Sequence, residues 1–342
     1  MKIALDAMGG DQGPELLIKG ACQALRKNKE LAVILLGPGD LLEQQVKQYT
    51  TIANIASVDN VIERLFVEHA PEIVAMDESP VEAIRKKKDS TIMRGFDLVK
   101  NGQADAVVSA GHSGATMAAA IRKLGRLKGI SRPGIASLFP TQKNPVMLMD
   151  IGANVDCRAQ HLFQFAIMAS SCSALLQNRA NPRVGLLSIG SEPGKGNALI
   201  KETHELLRQS NLNFVGNVEG RDVYSGDLEV VVCDGFVGNI SLKISEGLAE
   251  AAMQMLKDEI MKSMQAKIGY LLIRKAFAAF RKRVDYAEYG GAPLLGINGI
   301  GIICHGSSSS IAICNAIGEA AKLVENKVNN SIMQSLEQYT TA

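Results

Sequence analysis

Strand-like and helix-like segments alternate along almost the whole chain, and this alternation constrains the fold more than any other feature. Short runs rich in Val, Ile and Leu fall at Lys2–Asp6, Val33–Gly37, Arg64–His69, Ala106–Ser109, Val146–Asp150, Val184–Ser188, Asn213–Gly216, Glu229–Cys233 and Gly301–Cys304. Between them lie stretches of helical character, among them Glu15–Arg26, Val81–Lys87, Thr116–Leu127, Leu162–Leu176, Ala198–Arg208, Ile240–Lys262 and Ile311–Val328. Strand, loop and helix in repetition build βα units, which predicts an α/β fold with a mostly parallel sheet covered on both faces. A length of 342 residues allows two domains, or one large domain with an appendage. Aromatics make up only 4% of the chain and Trp is absent, so aliphatic side chains must fill the core.

Several classes are disfavoured at once. The net charge of +2, from 37 basic and 35 acidic residues, is too balanced to call for nucleic acid. Cys22, Cys157, Cys172, Cys233, Cys304 and Cys314 form no CxxC pair, and no Cys/His group has zinc-site spacing. They read as reduced thiols, mostly in apolar surroundings, and no metal is expected. Ile3–Leu5 is too short for the apolar core of a signal peptide. The uncharged stretches Leu162–Asn178 and Leu294–Gly318 are interrupted by Gln, Ser or Gly, so no membrane-spanning helix is expected.

Parallel sheets place their working loops at the carboxyl ends of the strands. Six such loops here contain glycine: Asp6–Asp11, Ala110–Gly114, Ile151–Asn154, Ile189–Asn197, Asp234–Asn239 and His305–Ser310. One glycine after a strand is usually only a turn. A set of six, mostly leading into helices, suggests a cleft lined with anion-binding backbone N–H groups, because glycine lets an anion approach closely. The candidates on this reading are Gly9, Gly10, Asp11, Gly111, His112, Ser113, Gly194, Gly196, Gly235, Gly238, Gly306, Ser307 and Ser308. Neither a Walker loop nor a dinucleotide fingerprint is present, so no nucleotide cofactor is expected. Lys195, between Gly194 and Gly196, is either a mobile cation over an anion or an exposed loop lysine.

The same loops resemble the bacterial acyl-acyl carrier protein:phosphate acyltransferase family. The resemblance rests on Leu5-Asp6-Ala7-Met8-Gly9-Gly10-Asp11, on Ser79-Pro80 with Ala83–Lys88, and on Ser109–Ala115. It continues through Asp150–Asp156, Gly194–Asn197, Phe214–Asp222, Asp234–Asn239, Tyr289–Ala292 and His305–Ser308. His112 stands where the family carries an amide, and Ser309 where it often carries an acid or amide. Membership implies a single catalytic domain over residues 1–342, a three-layer α/β/α sandwich of the isocitrate dehydrogenase and phosphotransacetylase type, and a homodimer. It also implies that a fatty acyl group moves from acyl carrier protein to inorganic phosphate without a cofactor. The acyl phosphate would then feed a membrane glycerol-3-phosphate acyltransferase of phospholipid synthesis.

Phosphate is already ionised at neutral pH and a thiolate leaves readily, so such a reaction needs positioning and charge stabilisation more than a strong base. Lys195 is expected to neutralise phosphate or the oxyanion, and Asn239 to donate a hydrogen bond to the carbonyl oxygen or phosphate. His305 is expected to bond phosphate or protonate the thiolate, or else to be a structural residue at a strand end. Cys157 as a covalent nucleophile would need an adjacent base, which no sequence signature supplies.

Residues between Met261 and Val284 include no acid. Lys262, Lys267, Arg274, Lys275, Arg281, Lys282 and Arg283 alternate with apolar residues, and Ile273, Phe277, Phe280 and Val284 recur at helical spacing. The segment 255–285 is expected to protrude as an amphipathic helical element. Three readings fit its basic face: membrane contact, carrier-protein contact and dimer packing. Arg274, Lys275, Phe277, Phe280 and Arg281 are the contact candidates. The expected location is cytoplasmic, peripheral to the inner face of the membrane.

Overall fold

The computed structural model describes residues 1–52, 60–284 and 290–340. Among them eleven strands form one sheet: β1 (Lys2–Asp6), β2 (Ala32–Gly37), β3 (Leu65–His69), β4 (Ala106–Ser109), β5 (Gly134–Phe139), β6 (Val146–Met149), β7 (Val184–Leu187), β8 (Phe214–Val218), β9 (Val230–Val232), β10 (Ala292–Leu295) and β11 (Gly301–Ile303). Their order across the sheet is β3-β2-β1-β4-β11-β10-β5-β6-β9-β7-β8. The helices are α1 (Pro14–Lys27), α2 (Gly39–Ile52), α3 (Pro80–Lys86), α4 (Thr91–Lys100), α5 (Ser113–Leu124), α6 (Ala159–Gln177), α7 (Ala198–Arg208), α8 (Gly235–Met261), α9 (Met264–Val284), α10 (Ser310–Glu325) and α11 (Val328–Thr340).

The layering follows from the two-residue period of a strand. Ile3 and Leu5 of β1 point into one core with Val33, Val108 and the buried faces of α1, α6 and α10. Ala4 and Val107 point into a second core on the opposite face, with α4, α5, Leu148 and Val231. The mostly parallel α/β sandwich expected from the alternation is therefore present. The uncharged stretch from Leu162 is α6, with Leu162–Ser173 buried throughout, a core helix. Among the described residues no helix is long and apolar enough to cross a membrane.

The strands are not all parallel. β3, β2, β1, β4 and β11 run one way, and β6, β9, β7 and β8 run the other. β10 and β5 join the two groups, with β10 antiparallel to both β11 and β5, and β5 antiparallel to β6. The working loops of the two groups therefore leave opposite edges of the sheet rather than one common edge.

One buried acid has an unsatisfied oxygen, with Lys322 as the nearby cation that favours its charged form. Glu319 of α10 is 9% exposed and its Oε1 accepts no hydrogen bond among the described residues. Burial pushes its carboxyl up from the ordinary 4.5 to about 7. The folded state then holds a proton that the unfolded chain has released, so stability falls as pH rises from about 4.5 to about 7. Glu319→Gln is expected to add roughly 1–3 kcal/mol at pH 8 and little at pH 4. Denaturant midpoints at the two pH values measure this, and an equal effect of the substitution at both would contradict it.

Candidate active site

The loops that follow β1, β4 and β11 meet around a buried carboxylate. Asp6 ends β1, where its Oδ1 accepts from the N–H groups of Met8 (3.2 Å) and Gly9 (3.0 Å). Its Oδ2 accepts from Ser109 Oγ at 2.7 Å, and the same Oγ accepts from Gly111 N at 3.1 Å. Burial pushes the Asp6 carboxyl up, and these hydrogen bonds oppose that shift. The packing explains one glycine directly: a Cβ on Gly9 would stand 2.6 Å from Gly111 N. Asp11 N donates to Gly306 O at 2.8 Å, bringing the third loop in. Gly9, Gly10, Asp11, Gly111 and Gly306 thus form one cluster.

His112 and Ser113 begin α5 beside this cluster. His112 Nδ1 accepts from Ala115 N at 3.4 Å as the helix cap, which leaves Nε2 to donate to Glu78 O at 3.1 Å. Both ring nitrogens are engaged within the protein, while Ser113 is exposed. Ser309 likewise caps α10 by accepting from Ala312 N at 3.2 Å.

A second cluster repeats the device in the other half. Asp150, which follows β6, accepts from Ile135 N (3.0 Å), Ala153 N (3.1 Å) and Asn154 N (2.6 Å), and from Asn154 Nδ2 (2.9 Å). Burial raises this carboxyl too, against four donors that favour the charged form. Asp234 follows β9 and caps α8, accepting from Phe236 N and Val237 N at 3.0 Å each. Gly235 and Gly238 let the first turn of α8 lie against Asn154 and Asp150. The Asn239 side chain comes up against Gly152, 3.5 Å from the place of a Cβ there. Lys195 lies on the exposed Gly190–Gly196 loop, its aliphatic stem against Gly190. Among the described residues neither the Lys195 ammonium nor the Asn239 amide has a hydrogen-bond partner.

The two halves are joined by a residue that the sequence reading overlooked. Lys243 of α8 places Nζ 3.2 Å from His305 Nε2 and donates to Glu246 Oε2 at 2.9 Å. On the other side of the ring, Nδ1 accepts from Ser307 N at 3.2 Å and lies 2.7 Å from Ser307 Oγ. Asn239 and Lys243 are four residues apart, so they share one face of α8, about 6 Å apart along the axis. That spacing was the available signal for Lys243. For Asp6 and Asp150 the signal was an acid at a strand end, each within a glycine loop.

Cysteine chemistry is disfavoured. Burial pushes the Cys157 thiol up to about 11, and its Sγ donates to Asn154 O at 3.4 Å, so it stays protonated at neutral pH. The six cysteines are free, five of them buried. Among the described residues no His, Cys, Asp and Glu group is arranged to hold a metal ion.

Arg274, Lys275, Phe277 and Phe280 lie on α9, which pairs with α8. The Tyr270, Phe277 and Phe280 rings pack edge to face, with centroids 5.3 and 6.4 Å apart. The exposed apolar residues of the two helices include Ile244, Leu248, Met264, Leu271, Leu272 (82% exposed) and Ile273. The Arg281 side chain, Tyr289 and residue 285 lie outside the described residues.

The model of the family described as fatty acid synthesis protein matches residues 1–331. A phosphate acyltransferase of Geotalea uraniireducens (strain Rf4) is 51% identical over 338 residues, covering 99% of this chain and 95% of that protein. The phosphate acyltransferase of Geobacter sulfurreducens (strain ATCC 51573 / DSM 12127 / PCA) is 48% identical over 342 residues, covering 100% and 96%. Among solved structures, EutD phosphotransacetylase from Staphylococcus aureus superposes with a TM-score of 0.60 at 19% identity, covering 95% of this chain and 94% of that one. That last likeness is one of fold.

Proposed function

Because the chain belongs to the fatty acid synthesis protein family, we propose that the acyl group it transfers to phosphate is a fatty acyl group carried as a thioester on acyl carrier protein. The chain is an acyltransferase acting on phosphate. The observation that carries this is the 51% identity with a phosphate acyltransferase along 99% of the chain. The site agrees with the chemistry. Attack by ionised phosphate on a thioester needs charge stabilisation and alignment, and the cluster offers cations, an amide and N–H-rich loops. Lys195 neutralises phosphate or the oxyanion. Asn239, in the second turn of α8, donates to the carbonyl oxygen or to phosphate near the positive end of that helix. Lys243 and His305 face the same cleft from either side. The product acyl phosphate goes to a membrane glycerol-3-phosphate acyltransferase for phospholipid synthesis.

The test is incubation of the purified protein with acyl-acyl carrier protein, phosphate and a chelator, with acyl phosphate trapped by hydroxylamine. Product from acyl-coenzyme A but none from the carrier protein would give the reaction to a phosphotransacetylase-type donor instead.

The α8–α9 pair is the element that brings the enzyme, as a homodimer in the cytoplasm, to the inner membrane surface. Its exposed apolar side chains and acid-free basic run support this, since each Lys or Arg near an anionic surface contributes about 1 kcal/mol. Ile273→Glu/Phe277→Glu is expected to abolish co-sedimentation with anionic vesicles while soluble acyl transfer persists. A variant that sediments like the wild type refutes the anchor, and one that turns monomeric assigns the face to subunit packing.

A further inference from the structure

We propose that the apolar cavity beneath the α8–α9 pair holds the acyl chain of the substrate, and that α8 sets the chain length it accepts. The inference rests on the acyl-transfer reading above. The cavity measures about 830 Å³. Its walls include Phe139 of β5, Leu148 of β6 and Leu187 of β7, with Leu242 and Ala249 of α8 opposite and Phe280 of α9.

Three observations point to a hydrocarbon occupant. The space opens to solvent, its walls are mainly apolar, and covering such a surface with hydrocarbon removes it from water. A two-carbon acyl group would occupy very little of it. Two hydroxyls in the wall, those of Tyr224 and Ser245, bond each other, and Thr141 Oγ1 donates to Asn144 O, so these groups are satisfied within the protein.

The cavity is also polar at the correct place. Glu246 lines it and holds Lys243 Nζ at 2.9 Å, and that ammonium touches His305. Leu187 directly precedes the loop that carries Lys195. Asn239 lies one turn of α8 before Lys243, and the lining residues of α8 run from Ser241 to Ala252, about 16 Å of helix. A thioester carbonyl at the Asn239–Lys243 face would therefore send its chain along α8 toward Ala252.

The experiment compares kcat/KM for hexadecanoyl- and octanoyl-acyl carrier protein in wild type, Ala249→Phe and Ala252→Phe. Each methylene denied its place weakens transition-state binding roughly fourfold, so Ala249→Phe, whose ring displaces about three methylenes, should lower the long-to-short ratio about 50-fold. Ala252→Phe, farther along the helix, should lower it less, by about 10-fold. The fluorescent fatty acid cis-parinarate should bind the wild type and be excluded by Ala249→Phe. Variants that melt like the wild type yet keep its ratio overturn the proposal, as does a wild type that takes up no cis-parinarate. If Ala249→Phe does not fold, Ala252→Phe carries the same comparison. Acyl phosphate formation by the wild type judges the reaction separately, so an inactive wild type sinks the reaction, whereas an unchanged ratio sinks the cavity.

Discussion

Lys195→Ala and Asn239→Ala are each expected to lower turnover about 10²–10³-fold, the usual cost of removing one donor aimed at developing charge. Melting temperatures should stay at the wild-type value. Both side chains are exposed and neither has a hydrogen-bond partner among the described residues, so deleting them leaves no buried group unsatisfied. An exposed polar side chain without a protein partner is free to meet a substrate. If Lys195 acts on phosphate, its loss should raise the KM for phosphate as well. If Asn239 acts on the carbonyl, kcat should fall with that KM unchanged. Near-wild-type rates from both purified variants would remove these residues from the mechanism.

Gly238→Ala is expected to cost about 3 kcal/mol or more and to abolish activity with it. A Cβ at this position would lie 1.9 Å from Asp150 O, a backbone atom that cannot step aside alone. The clash would push the first turn of α8 off the Asp150 loop, displacing Asn239 and Lys243 together. Gly194→Ala is the contrast, because nothing lies within 4 Å of a Cβ there. That variant should fold normally, and a raised KM for phosphate would show that the loop backbone approaches the anion. Urea midpoints decide the pair, and a wild-type midpoint for Gly238→Ala would overturn the packing argument.

Nine strands were legible in the sequence because each is a short β-rich run, six of them before a glycine loop. β5 and β10 were not. β10 is four residues long and contains Pro293, which lacks the ladder N–H and argues against a central strand. It is nevertheless central, with Pro293 paired to Ile302. β5, Gly134–Phe139, follows Arg132-Pro133 and gives no helix-strand alternation to mark it. Missing the two antiparallel strands meant missing the reversal, so the expected single row of loops became two. The glycine loops themselves were readable because tight turns restrict residue type. The carboxylates that pin them, Asp6 and Asp150, were quoted in the motifs but given no role, although an acid at a strand end within a glycine loop marks both. Lys243 was hidden for another reason: its partner His305 comes from the other half of the fold.

The late strands carry a consequence for the order in which the chain is made. Gly301 pairs with Val107 and Leu294 with Ile135, so residues near the end of the chain fill the middle of the sheet. While the ribosome is still adding them, β4 and β5 each present a bare edge, and bare edges recruit other chains. Pairings this distant in sequence also make folding slow. A nascent chain released before residue 292 would hold two unconnected half-sheets, so stalled or truncated synthesis should yield aggregate rather than a smaller working enzyme.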